Sequence, residues 1–150
     1  MICYAVIDTN VIVSALLAKK EDSPTVKVLE AVFDGRIVPL YHSEILEEYN
    51  DVLHREKFHF AISAIQKVLA AIIQFGVEVY PQPTGEILTD MDDLVFYEVV
   101  MAKREDDAYL VTGNQKHYPV RPFIVTPAEM IVILEKTLSQ CDIREIRNGI

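Results

Sequence analysis

Four short segments of this chain carry the side chains most able to do chemistry. Asp8 ends the apolar run Ile2-Cys3-Tyr4-Ala5-Val6-Ile7 and is followed by Thr9-Asn10. Glu47-Glu48 lie in a segment of helical character. Asp90-Met91-Asp92-Asp93 packs three acids into four residues, and Thr112-Gly113-Asn114 closes a late apolar run. Each lies at a strand end or on a helix. Mg²⁺ and Mn²⁺ favour oxygen ligands and usually keep several waters. Two or three carboxylates from separate elements, converging at one sheet edge, make such a site, able to activate water and stabilise charge developing on a phosphoryl group. Plainer roles compete: exposed helix carboxylates are routine, an Asp at a helix start caps and complements the dipole, and Thr-Gly-Asn is also a common turn. Spacing separates the paired glutamates. Glu48, three residues after Ile45 and four before Val52, borders the apolar face, whereas Glu47 points toward solvent.

The elements that must position these groups follow from hydrophobic periodicity. The unbroken run to Ile7 reads as a strand buried on both faces, and Val11 to Leu17 as a helix. Ser23-Pro24 starts a helix with Pro at its first position, carrying Val26, Leu29, Val32 and Phe33 inward and stopping at Gly35. Arg36 to Tyr41 reads as a strand. Ser43 is expected to cap a helix through Leu53, with Ile45, Leu46, Tyr49, Val52 and Leu53 on its apolar face. Further helices are expected over Ile62–Phe75, with Gly76 as C-cap, and from Asp92 or Asp93 through Ala102. Val77–Tyr80, Tyr109–Thr112 and Phe123–Val125 read as strands. Thr126-Pro127 opens a last helix from Ala128 to about Leu138, and residues 139–150 carry no assignable pattern. Alternating strands and helices imply an α/β fold, a three-layer sandwich with a central, mostly parallel sheet and helices on both faces. In such sheets ligands bind at the carboxyl ends of the strands, where Asp8 lies.

The 150 residues suit a single domain. A hydrophobic share of 51% with 25% charged residues argues for a compact fold rather than disorder. Apolar runs stop well short of the roughly 20 residues that span a bilayer, and no basic leader precedes the first strand, so a cytoplasmic protein without membrane contact is expected. The two cysteines, Cys3 and Cys141, form neither a disulfide framework nor a zinc pattern. A net charge of −9 has the wrong sign for phosphate contacts, unless part of the acidity serves divalent cations. A basic and aromatic strip does exist: His54, Arg55, Lys57 and His59 interleave with Phe58 and Phe60. That alternation suits a single strand, and equally a solvated helix end with two core rings.

Taken together, the chain resembles the PIN-domain ribonucleases, in particular the toxins of bacterial and archaeal toxin–antitoxin pairs. The matching segments are Ala5-Val6-Ile7-Asp8-Thr9-Asn10 with Ser14-Ala15-Leu16, Ser43 to Tyr49, Asp90 to Phe96, and Asp107 to Pro119, in the family's order and spacing. The resemblance implies that Asp8, Glu48 and Asp93 are the catalytic, metal-binding acids, with Asp90 accessory. Thr9, Asn10, Thr112, Asn114 and Lys116 would serve substrate binding or support. It implies Mg²⁺ or Mn²⁺, in-line attack of water on RNA phosphodiesters leaving 5′-phosphate and 3′-hydroxyl ends, a small antitoxin protein as partner, and a homodimer. Where the family often has an acid two residues after the Thr, this chain has Asn114, which keeps an oxygen and loses the charge. A catalytically weak or inactive RNA- or protein-binding module is therefore the alternative. A phosphoacceptor receiver needs paired acids after the first strand, and a haloacid-dehalogenase-type phosphatase needs a second Asp where Asn10 stands. Neither fits.

Overall fold

The computed structural model describes residues 2–136. The expected end of the last helix at Leu138, the tail 139–150 and Cys141 lie outside the described residues. The first strand, β1 (Cys3–Ile7), leads directly into α1 (Thr9–Leu17). Next come α2 (Pro24–Phe33), β2 (Ile37–Tyr41), α3 (Ser43–Leu53), α4 (Ile62–Phe75) and the short β3 (Val77–Glu78). Then follow α5 (Leu94–Ala102), β4 (Tyr109–Val111), β5 (Ile124–Val125) and a helix over 127–136, α6.

The five strands form one sheet in the order β3-β2-β1-β4-β5, and every pairing is parallel. Helices cover both faces, giving the expected three-layer sandwich. Successive strands leave β1 on opposite sides, β2 on one and β4 on the other. The crevice between the carboxyl ends of β1 and β4 is thus the topological switch point, where open α/β sheets bind ligands. The register Ile7↔Val111 puts Asp8 beside Thr112, and Asp8 N–H donates to the Val111 carbonyl at 2.9 Å.

The core explains why the elements at this edge are rigid. Ala5, Val6 and Ile7 are buried on both faces of the sheet. α5 runs against β1, β2 and β4 and is apolar nearly all round, with Phe96, Tyr97, Val99 and Val100 buried, as suits a helix enclosed by protein. Burying one such ring contributes about 2–3 kcal/mol, so the residues at the head of α5 stand on a firm base. Among the described residues no helix is long and apolar enough to cross a membrane.

Element ends differ from expectation by a residue or so, as fraying termini do, but several caps differ in kind. Ser43 is the first residue of α3 rather than its cap. The strand-like backbone persists to His42, whose Nδ1 accepts from Glu44 N–H at 3.3 Å. Neither Asp92 nor Asp93 caps with its side chain. A single tight turn, Met91–Asp93, precedes α5, and Asp90 caps it by accepting from Asp92 N–H at 2.9 Å. Gly76 follows α4 as expected but has extended backbone. Its lack of a side chain matters because a Cβ there would collide with the carbonyls of Ile72 and Pro39. The strand expected over Val77–Tyr80 pairs only over Val77–Glu78. At α6, Thr126 and Glu129 form a reciprocal capping box, each side chain accepting the other's backbone N–H, at 3.1 and 3.2 Å.

Candidate active site and metal centre

Asp8 occupies the N-cap position of α1, yet its side chain does not cap that helix. It turns instead across the sheet edge. Its Oδ2 accepts from Thr112 Oγ1 at 2.8 Å and from the Tyr118 hydroxyl at 3.0 Å. Asp8 is only 5% exposed. Burial pushes its pKa above the ordinary carboxylate value, and the two hydroxyls, with the backbone N–H groups of Thr9 and Asn10, work against that rise. Thr112 is fully buried at the end of β4. Its Oγ1 accepts from Asn114 N–H at 3.0 Å, which commits its proton to Asp8. The neighbouring turn is tied to α1, where Asn10 Oδ1 accepts from Gly113 N–H at 3.1 Å.

Glu48 reaches the same place from α3. The buried Tyr49 hydroxyl donates to the Ile7 carbonyl and pins α3 to the end of β1. The adjacent residue, Glu48, then accepts a hydrogen bond from Thr9 Oγ1 in the first turn of α1. Burial raises the Glu48 pKa, with further contributions from the charges of Asp8, Asp93 and Asp92. Glu47 is exposed and lies along an adjoining groove, outside the cavity that holds Asp8 and Asp93. Asp93, at the head of α5, is pushed up to about 6, first by burial and then by Asp8 and Asp90. His117 opposes that rise, its Nδ1 lying 3.4 Å from Asp93 Oδ2.

One cavity of about 380 Å³ gathers these groups. Asp8, Thr9, Asn10, Glu48, Asp90 and Asp93 line it, with Asp92, Arg55 and Phe58 at its sides. Thr112 lies beneath, through Asp8. Asn114 and Lys116 are exposed and do not line the cavity, so Asn114 enters the site through its backbone rather than its amide. Of the basic strip, Arg55 and Phe58 reach the cavity. Phe60 stacks on Phe58 at 5.3 Å between centroids and packs against the core. Two contributors were not foreseen in their roles, Tyr118 and Tyr49, whereas His117 was expected to border the site. Tyr118 sits in the segment Lys116-His117-Tyr118-Pro119, but nothing in its spacing signals a hydroxyl aimed back at β1. Tyr49 reads as a core residue, and it is one, with a polar tip in addition.

The donor set is made of hard carboxylate oxygens, the type that suits Mg²⁺ or Mn²⁺. Mutual repulsion contributes to the raised pKa values of Glu48 and Asp93, a cost that a divalent cation relieves. Among the described residues, no three acid, His or Cys side chains are already drawn together around one point. Glu48 is turned to Thr9 and Asp93 to His117. The residues fit a divalent ion in chemistry and in location, with side-chain rotation needed to close on it.

A sequence model of the PIN domain family matches residues 4–116. No curated protein and no solved structure matches the chain.

Proposed function

The chain belongs to the PIN-domain family, whose members are generally nucleases, and from that footing we propose that it is a metal-dependent ribonuclease hydrolysing RNA phosphodiester bonds. One observation carries the reading: acids from three separate elements, Asp8 after β1, Glu48 on α3 and Asp93 at the head of α5, line one cavity at the carboxyl edge of a parallel sheet. Stability alone does not account for that convergence, because the neighbouring carboxylates make Glu48 and Asp93 costlier to ionise.

In this reading Asp8, Glu48 and Asp93, with Asp90 as an accessory, would hold Mg²⁺ or Mn²⁺. When bound, the ion supplies Lewis-acid stabilisation of the charge that develops on the phosphoryl oxygens. The chain's own residues do the rest. Thr112 and Tyr118 hold Asp8 in one orientation. Tyr49 holds α3 so that Glu48 faces the cavity. Arg55 offers a cation to the scissile strand's phosphates, and Phe58 a ring face to a base. His117, with Nδ1 3.4 Å from Asp93 Oδ2, helps to orient that carboxyl.

The finer role, as the toxin of a toxin–antitoxin pair with a small protein partner and a homodimeric assembly in the cytoplasm, is supported by the sequence resemblance. It predicts growth arrest on expression alone, relieved by co-expression of a small neighbouring protein.

The test is cleavage of end-labelled single-stranded RNA by purified protein with Mn²⁺ or Mg²⁺ and with chelator. Asp8→Asn, which removes a charge at nearly constant shape, is expected to lower the rate by about 100-fold or more. Glu47→Gln serves as a control expected to leave the rate at saturating RNA unchanged. Equal cleavage by wild type and Asp8→Asn would expose a contaminant. No cleavage by folded wild type, together with no Mn²⁺ binding, would make the chain a binding module on a nuclease fold.

A further inference from the structure

The two side-chain hydrogen bonds that Asp8 accepts fall on the same oxygen. Oδ2 receives Thr112 Oγ1 at 2.8 Å and the Tyr118 hydroxyl at 3.0 Å. A carboxylate oxygen has two lone-pair directions, so two donors saturate Oδ2. The backbone N–H groups of Thr9 and Asn10 also favour the charged carboxylate, and Oδ1, which accepts no side-chain hydrogen bond among the described residues, is the oxygen left to meet a cation. Both donors are held. Thr112 is fully buried, and its own Oγ1 is occupied by Asn114 N–H. Tyr118 is 6% exposed and follows the tight turn Gln115–His117, its N–H bonded to the Gln115 carbonyl at 3.1 Å. Thr112 alone would fill one lone pair and leave Oδ2 open to metal; the phenol closes it.

We infer that Tyr118 is a positioning residue that restricts Asp8 to one-oxygen coordination through Oδ1 and thereby makes the centre discriminate against Ca²⁺; the inference rests on the metal-dependent reading above. The selectivity follows from coordination chemistry. Ca²⁺ takes six to eight oxygens in flexible geometry and readily accepts both oxygens of a carboxylate, whereas Mg²⁺ demands a near-ideal octahedron. The narrow bite of a two-oxygen carboxylate suits the first and strains the second. Blocking Oδ2 therefore withdraws a mode that Ca²⁺ uses and costs an octahedral ion little. It also orients the ligand in advance, as hydrogen-bond partners behind a metal ligand generally do.

Tyr118→Phe keeps the ring and removes only the hydroxyl. Full-length wild type and variant, both checked for fold by circular dichroism, would be titrated with Mn²⁺ while free Mn²⁺ is followed by its paramagnetic resonance signal. Ca²⁺ and Mg²⁺ would then be added as competitors. In the variant, Mn²⁺ affinity is expected to fall about 10-fold. The ability of Ca²⁺ to displace Mn²⁺ should rise by a similar factor, with no such rise for Mg²⁺. Thr112→Val removes the other donor to the same oxygen and should move the Ca²⁺-to-Mn²⁺ ratio the same way; it decides the matter if Tyr118→Phe does not fold. Wild-type competition profiles in the folded variants would overturn the inference while leaving the nuclease reading intact. Absence of Mn²⁺ binding to wild type would bring down that reading and this inference together.

Discussion

Asp8, Glu48 and Asp93 are each more costly to ionise here than in an unfolded chain, and that has a measurable sign. Burial, assisted by Asp8 and Asp90, raises Asp93 from its ordinary 3.8 to about 6. A raised carboxyl pKa means that the folded state holds the proton more tightly. Its penalty is absent below the unfolded value, grows between about pH 4 and pH 6, and is complete above that. Glu48 and Asp8 act in the same direction. Metal-free protein should therefore gain Tm as the pH falls from 7 to 5. Asp34, whose pKa the Arg36 guanidinium lowers, opposes this only further into acid. Asp93→Asn should flatten the gain and Mn²⁺ should suppress it; thermal melts in chelator across that range decide, and a flat profile for wild type would refute the coupling. The residues behind this were unequally legible. Asp8 is conspicuous because an acid ending a fully apolar run has few structural uses, and Glu48 separates from Glu47 by its phase against Ile45 and Val52. Tyr118 was not legible, because its hydroxyl meets Asp8 across 110 residues through the folding of β4 and one turn.

The elements were readable wherever a side chain repeats with the period of a helix or strand. β1, α3 and α4 stand out on that ground, and the cap-then-Pro pattern marks the starts of both α2 and α6. Three-residue turns such as Met91–Asp93 and Gln115–His117 have no period to read, and these turns bring Asp93 and Tyr118 to the site. Caps were misplaced for a related reason, since His42 and Asp90 are chosen by where the preceding extended backbone ends. The two helix-ending glycines illustrate the gap between local and tertiary causes. Gly35 has a φ of +86° with open space around it, so its requirement is conformational. Gly76 has ordinary backbone, but a Cβ would sit 2.5 Å from the Pro39 carbonyl oxygen and collide with that of Ile72. Gly35→Ala should cost about 1–2 kcal/mol, the left-handed penalty. Gly76→Ala should cost more, about 3 kcal/mol, because α4 must shift from β2 and neither carbonyl can swing aside. Urea denaturation of both variants ranks them, and equal losses would mean that α4 and β2 part more easily than their packing indicates.

At the scale of the whole molecule, the difficulty is how a chain of net charge −9 engages a polyanion. The acids are not evenly spread around the site. A groove of about 700 Å³ beside the cavity is bordered by Glu44, Glu47, Asp51 and Glu98 and shares Glu48, Asp92 and Arg55 with it. An RNA substrate would be repelled along that side. The approach left to it starts at Arg55, where groove and cavity meet, and runs past Phe58, with Lys57 over its ring at 5.1 Å, and past Lys116 next to His117. Three cations give few phosphate contacts. For single strands each contact contributes about 0.7 to the slope of log affinity against log salt, so the slope should be shallow, about −2, with a metal ion present throughout. Arg55→Ala, which leaves the acids in place, should reduce that slope by about 0.7 and raise KM more than it lowers kcat. Opposing charge on the far wall gives the converse: Glu47→Lys should tighten RNA binding at low salt and lose the advantage as salt shortens the Debye length below about 10 Å. Fluorescence-anisotropy titrations of labelled RNA at a series of salt concentrations measure both effects. A steep wild-type slope, insensitive to Arg55, would mean that RNA is held by cations elsewhere on the molecule, and that the acidic groove does not steer it.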